Sequence, residues 1–188
     1  QSSIADWQKS PTDSNPSQPD RNMKKLPALT LSLLLSAAGA FAHSDAFKPD
    51  LVDTLIAPYL AIQKGLADDD LKAAQTGAKQ YLEAMNKAPH EAEAHKETAK
   101  LTEPAKMITA ALDIKAARTA FLSLSQEVTT LVEHIGTTQD TPLYIAHCPM
   151  AFNNEGGSWL QADKTVSNPY YGSMMLRCGS IQKLISGR

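Results

Sequence analysis

Between Pro49 and Gly136 the apolar residues return at three- and four-residue spacing, which is the period of the α-helix. A chain patterned this way must bury one stripe of each helix against another helix. The fold expected is therefore mainly α, an antiparallel bundle of three to four helices. The first helix opens at Pro49, with Leu51, Leu55, Tyr59, Ile62 and Leu66 on one face, and Pro58 should kink it or move its start. The Asp68 to Asp70 run supplies an N-cap for the second, whose inward stripe is Leu71, Ala74, Ala78, Tyr81, Leu82 and Met85. Pro104 interrupts the next segment, so a loop or short helix is expected before a helix from about Glu103. The clearest helix carries Ile114, Ala117, Phe121, Leu124, Val128, Leu131 and Val132 inward and stops at Gly136. Beyond it lies an irregular C-terminal segment, read as a short strand in "TPLYIAHCPMAF", a turn-rich loop in "NNEGGSWLQAD" and a final short helix.

Upstream of the bundle, "MKKLPALTLSLLLSAAGAFAHS" has the three parts of a secretory signal. Lys24 and Lys25 form the charged start, Leu26 to Ala38 the apolar stretch and Ala40-Phe41-Ala42 the cleavage site. The apolar stretch falls short of the roughly 20 residues that span a bilayer. Three segments are expected: a disordered upstream extension at 1–22, a signal peptide at 23–42, and a single domain at 43–188 that carries the tail. The mature protein would be exported, periplasmic and soluble, with no membrane attachment after cleavage. A formal net charge of −2 and the lack of a basic stripe argue against a nucleic-acid partner.

The unusual chemistry is concentrated in the tail. His147, Cys148 and Met150 fall within four positions around Pro149, and Met174, Met175 and Cys178 follow in "SMMLRCGS". Thiolate and thioether sulfur prefer soft ions, above all Cu(I), and imidazole accepts copper or zinc. If Met174 to Cys178 were helical, Met174 and Cys178 would share a face and Met175 would point about 100° away. Trp159 lies on the intervening loop, where an indole face could add a cation–π contribution of about 1 kcal/mol. Cleavage after Ala42 would make His43 the amino terminus, whose amine and imidazole chelate Cu(II) once another histidine joins them.

"HCPMAFNNEGGSWL" followed by "NPYYGSMMLRCGS" resembles the C-terminal signature of a bacterial periplasmic domain-of-unknown-function family, number 3347. "DIKAARTAFLSLS" resembles the family's preceding helix at Asp113, Ile114, Arg118, Phe121 and Ser125. Members of that family occur alone and as tails on adaptors of heavy-metal efflux pumps. The resemblance implies copper or silver handling, with Cys148, Met150, Met175 and Cys178 at the matching positions. His147 departs from the family pattern, in which an aromatic residue often precedes the Cys-Pro-Met triplet.

Two functions of different class follow. One is a binding protein for Cu(I) or Ag(I) that buffers the ion or delivers it to an efflux adaptor. Its ligands would be Cys148, Met150 and Cys178, completed by Met174, Met175 or His147. The alternative is a helical interaction module with no metal role, in which a Cys148–Cys178 disulfide clamps the tail while Trp159, Tyr170 and Tyr171 face a protein partner. In that case the methionines would be packing fillers. His90 and His95, at i and i+5, do not share a helical face, and His134 suits the carbonyl end of its helix. No catalytic signature such as C-x-x-C, H-E-x-x-H or a glycine-rich phosphate loop is present, so an enzyme is not expected.

Overall fold

The computed structural model describes residues 47–87 and 95–185, all within the unit Phe41–Arg188. The upstream extension, the signal segment, His43 and His90 lie outside the described residues. Four helices come first: α1 (Pro49–Ala67), α2 (Leu71–Lys87), α3 (His95–Ala110) and α4 (Ile114–Ile135). Three strands follow: β1 (Leu143–Cys148), β2 (Gly157–Gln161) and β3 (Ser180–Ile185).

α1, α2 and α4 bury most of the stripe that their sequence predicts. Leu51, Leu55, Tyr59, Ile62 and Leu66 of α1 are buried, as are Ala74, Ala78, Tyr81 and Met85 of α2. Leu71 and Leu82 are only partly buried against that core. On α4 the buried set is Ala117, Phe121, Leu124, Val128, Leu131 and Val132, with Ala120 and Ser125 added and Ile114 partly buried. Each large aliphatic side chain taken fully out of water contributes about 1.5–3 kcal/mol, so these stripes dominate the stability of the bundle. Neighbouring helices α1 and α2, α2 and α3, and α3 and α4 pack together, and α1 also meets α4. Short turns at 68–70 and 111–113 make the first and last of these pairs antiparallel.

The helix ends follow from local chemistry. The Asp70 carboxylate accepts from the Ala73 N–H at 2.9 Å, and Asp113 accepts from Ala116 at 2.8 Å, each satisfying an otherwise orphan donor. Gly136 ends α4 at φ 87°, a conformation that glycine adopts without a Cβ penalty. Pro58 lies inside α1, which runs unbroken to Ala67.

Three expectations are corrected. α3 begins at His95 rather than near Glu103 and carries Pro104 in its interior, because the buried Leu101, Ala105 and Ile108 hold a continuous helical stripe across the proline. The segment after Cys178 is not a final helix but the strand β3. It pairs antiparallel with β1, and β2 pairs antiparallel on the other side, giving the order β2-β1-β3. The "GSWLQ" stretch, expected as loop, is the strand β2.

A buried polar relay joins sheet to helices. The Leu160 N–H donates to the Tyr59 hydroxyl at 3.0 Å, and the Ser125 hydroxyl donates to the Ser158 carbonyl at 3.0 Å. With the only Ser125 proton used, Tyr59 is the donor in its 2.5 Å bond to Ser125. The Tyr170 hydroxyl donates to the same Ser158 carbonyl. Burial pushes the Tyr59 and Tyr170 hydroxyls far above the ordinary tyrosine range, so both remain protonated donors.

A candidate metal centre at the tail

β1 delivers Cys148 to the edge of the core, and the chain then turns through Pro149 and Met150. Residues Phe152, Asn153 and Asn154 that follow all have positive φ, 52°, 59° and 72°. A left-handed turn without glycine costs about 1–2 kcal/mol per residue, although asparagine tolerates it well. Its fixings are the Gly156 N–H bond to the Ala151 carbonyl at 2.9 Å and the Phe152 ring, edge-on to Tyr170 at 5.1 Å.

The second cysteine arrives by the loop Asn168–Cys178. Asn168 organises it from within. Its Oδ1 accepts from the Tyr170 and Tyr171 N–H groups, its Nδ2 donates to the Cys178 carbonyl at 2.9 Å, and its own N–H reaches the Leu176 carbonyl. This folds the loop back so that Cys178 returns to β1. The Cys148 and Cys178 sulfurs, 30 residues apart in sequence, stand 2.9 Å from one another as free thiols. Cys148 is buried and Cys178 is half-buried. The bond to Cys148 raises the Cys178 thiol above its ordinary range, with burial and the neighbouring charge adding to it.

The thioethers divide by burial. Met85 is the packing filler, fully buried in the bundle, whereas Met150 is 45% exposed and Met174 is 79% exposed. Solvent-facing thioethers fill no core, so packing does not account for them. Met175 is half-buried and its carbonyl accepts the Cys178 N–H at 2.9 Å. The Tyr171 hydroxyl donates to the Met150 carbonyl at 2.6 Å, tying the Cys-Pro-Met turn to the methionine loop. Met174 closes a single 3-10 turn, Gly172–Met174, and Met175 leaves it at φ −146°, ψ 50°. The α-helical turn expected to place Met174 and Cys178 on one face is absent for that reason.

His147 does not join the sulfurs. Successive residues of a strand face opposite ways, and the register pairs His147 with Ser158 while Cys148 pairs with Gly157. Accordingly the His147 Nδ1 shares a 2.9 Å hydrogen bond with the Ser158 hydroxyl. Trp159 is on the Cys148 face but is fully buried. Its Nε1–H donates to Gln161 at 2.9 Å and its ring meets Tyr170 edge-on at 5.6 Å. A Cβ at Gly157 would fall 2.6 Å from the Tyr170 ring, so only glycine lets that ring lie against β2 beside Cys148. Tyr170 is itself buried, so both it and Trp159 lie in the core; Tyr171 is partly exposed.

Among the described residues, no three or more His, Cys, Asp or Glu side chains are grouped so as to hold a metal ion. What the fold brings together here is the pair of thiols, with Met150 two residues beyond Cys148 and Met174 and Met175 shortly before Cys178 in the chain. Also among the described residues, no helix is long and apolar enough to cross a membrane.

The sequence reading missed the side chains that shape the loop. Asn168 could have been found from the Asn-Pro pair, a turn signal, and Arg118 from its cation on a helix otherwise dominated by apolar and small residues. No curated protein and no solved structure matches the chain. Residues 55–140, the helical part that ends before the cysteine tail, match the family described as "Protein of unknown function (DUF3347)", the family that the sequence resembles.

Proposed function

We propose that the protein is a periplasmic binding protein for Cu(I) or Ag(I) that buffers the ion or passes it to an efflux adaptor. It is a carrier rather than an enzyme. Cys148 and Cys178 are the primary ligands, with Met150, Met175 and Met174 as the further donors; His147 and Trp159 support the scaffold. The observation that carries this reading is the meeting of two free thiols at 2.9 Å, brought together from segments 30 residues apart that each carry an exposed methionine. Binding must displace the thiol protons. The raised Cys178 thiol therefore makes apparent affinity climb with pH through and beyond the ordinary thiol range.

The test is an anaerobic Cu(I) titration of reduced protein against a competing chelator. The expected result is binding tighter than micromolar, weakened when Met150 and Met175 are replaced by leucine. Weaker binding, or indifference to both substitutions, overturns the reading.

A second reading rests on the same sulfur contact. A disulfide joining Cys148 to Cys178 would staple the tail to β1 and contribute about 3–4 kcal/mol in the chain-entropy model. A thiol count on protein taken directly from its native compartment separates the two. Two free thiols favour metal handling, and a stable disulfide favours the staple.

A further inference from the structure

Arg118, on the face of α4 turned toward the tail, makes three hydrogen bonds that reach two parts of the chain, the tail loop and the α1–α2 junction. Nε donates to the Pro169 carbonyl at 2.9 Å, and Nη2 donates to the Leu66 carbonyl at 2.8 Å and to Asp69 Oδ1 at 2.6 Å. The second oxygen of Asp69 accepts the Ser173 N–H at 2.9 Å. Asp69 itself has φ 60° in the α1–α2 turn. Gly172 fits between them: at φ 59°, a Cβ there would fall 2.1 Å from Asp69 Oδ1 and 2.2 Å from Arg118 Nη2. The Arg118 side chain is 14% exposed and that of Asp69 38%, so the pair is partly shielded from water on the guanidinium side.

The consequence is geometric. The loop is fixed at Pro169 by Arg118 and at Ser173 by Asp69, while Asn168 ties its start to its end at the Cys178 carbonyl. Between these posts, Met174 and Met175 lie on a stretch held on one side by a charge pair reaching from α4 and from the α1–α2 turn. We propose that Arg118 and Asp69 are positioning residues that hold the Asn168–Cys178 loop so that the Cys178 sulfur meets Cys148. For the thioethers this rests on the soft-metal reading above; for the sulfur pair it does not.

The test uses thiol chemistry and needs no metal. The full-length reduced protein is equilibrated with glutathione and glutathione disulfide. Cys148 and Cys178 give up two electrons and two protons to glutathione disulfide, forming one intramolecular S–S bond and releasing two glutathione molecules. The equilibrium constant reports how closely the fold holds the two sulfurs. R118M and D69N should each lower it about tenfold, with R118K in between. K106M, which breaks the Lys106–Glu103 pair on α3, should leave it unchanged.

Asparagine accepts the left-handed conformation of position 69, so D69N keeps its turn and decides the matter if R118M loses helicity by circular dichroism. A constant within threefold of wild type in folded D69N overturns the proposal. The Cu(I) titration is read separately. Wild-type protein that fails to bind Cu(I) while D69N shifts the glutathione equilibrium sinks the metal reading and leaves the clamp standing.

Discussion

The bundle and the tail solve the same problem with different means. In the bundle, apolar side chains from alanine to tyrosine lie along helical stripes and exclude water, and the backbone satisfies its own hydrogen bonds. In the tail, short strands and a long loop leave backbone groups without regular partners, and individual side chains supply them. Asn168, Gln161, Arg118 and Tyr170 all bond to backbone atoms of this region. The bundle therefore rests on many interchangeable contacts, and the tail on a few that are not.

Phe121→Ala probes the seam between the regions and should have the largest effect. Its ring stacks on Tyr59 at 5.3 Å and lies 6.0 Å from Tyr170. Removing it leaves a cavity costing about 3–5 kcal/mol, read as a lower urea midpoint for both regions. Asn168→Ala should separate the regions. It strands the buried Tyr170 N–H, at about 1–3 kcal/mol, and leaves the partly buried Tyr171 N–H and Cys178 carbonyl to water. Amide exchange should quicken across 168–178 while α1 to α4 keep their protection; equal loosening of both would break the contrast. Asp113→Ala removes a cap within the bundle and should cost about 1 kcal/mol without altering exchange in the tail.

The smallest effect is the acid response of the tail. Hydrogen bonds from Ser173 and Arg118, with the charge of Arg118, lower the Asp69 carboxyl to about 2. A depressed carboxylate stabilises the fold above the ordinary aspartate range and loses that contribution as pH falls toward about 2. Loop exchange in wild type should therefore rise over that window, whereas D69N should show no such step.

This contrast also explains what the sequence could tell. The stripes of α1, α2 and α4 and the caps at Asp70, Asp113 and Gly136 are local patterns, readable without the fold. The sequence starts α3 too late because proline is a strong local signal, and tertiary packing of Leu101, Ala105 and Ile108 overrides it. β3 reads as a short helix because Ile181, Leu184 and Ile185 sit at helical spacing, and only pairing with β1 makes the segment a strand. The nearness of Cys148 and Cys178 was inferred from residue type. What brings them together is long-range, since Asp69 and Arg118 lie far upstream of the loop they hold.

The strand order β2-β1-β3 has a consequence for how the protein is made. Cys148 leaves the ribosome 30 residues before Cys178, and the strand that closes the sheet comes later still. At the usual pace of translation that interval lasts roughly 2–6 s. Throughout it the Cys148 thiol waits without its partner, open to exchange with any disulfide it meets.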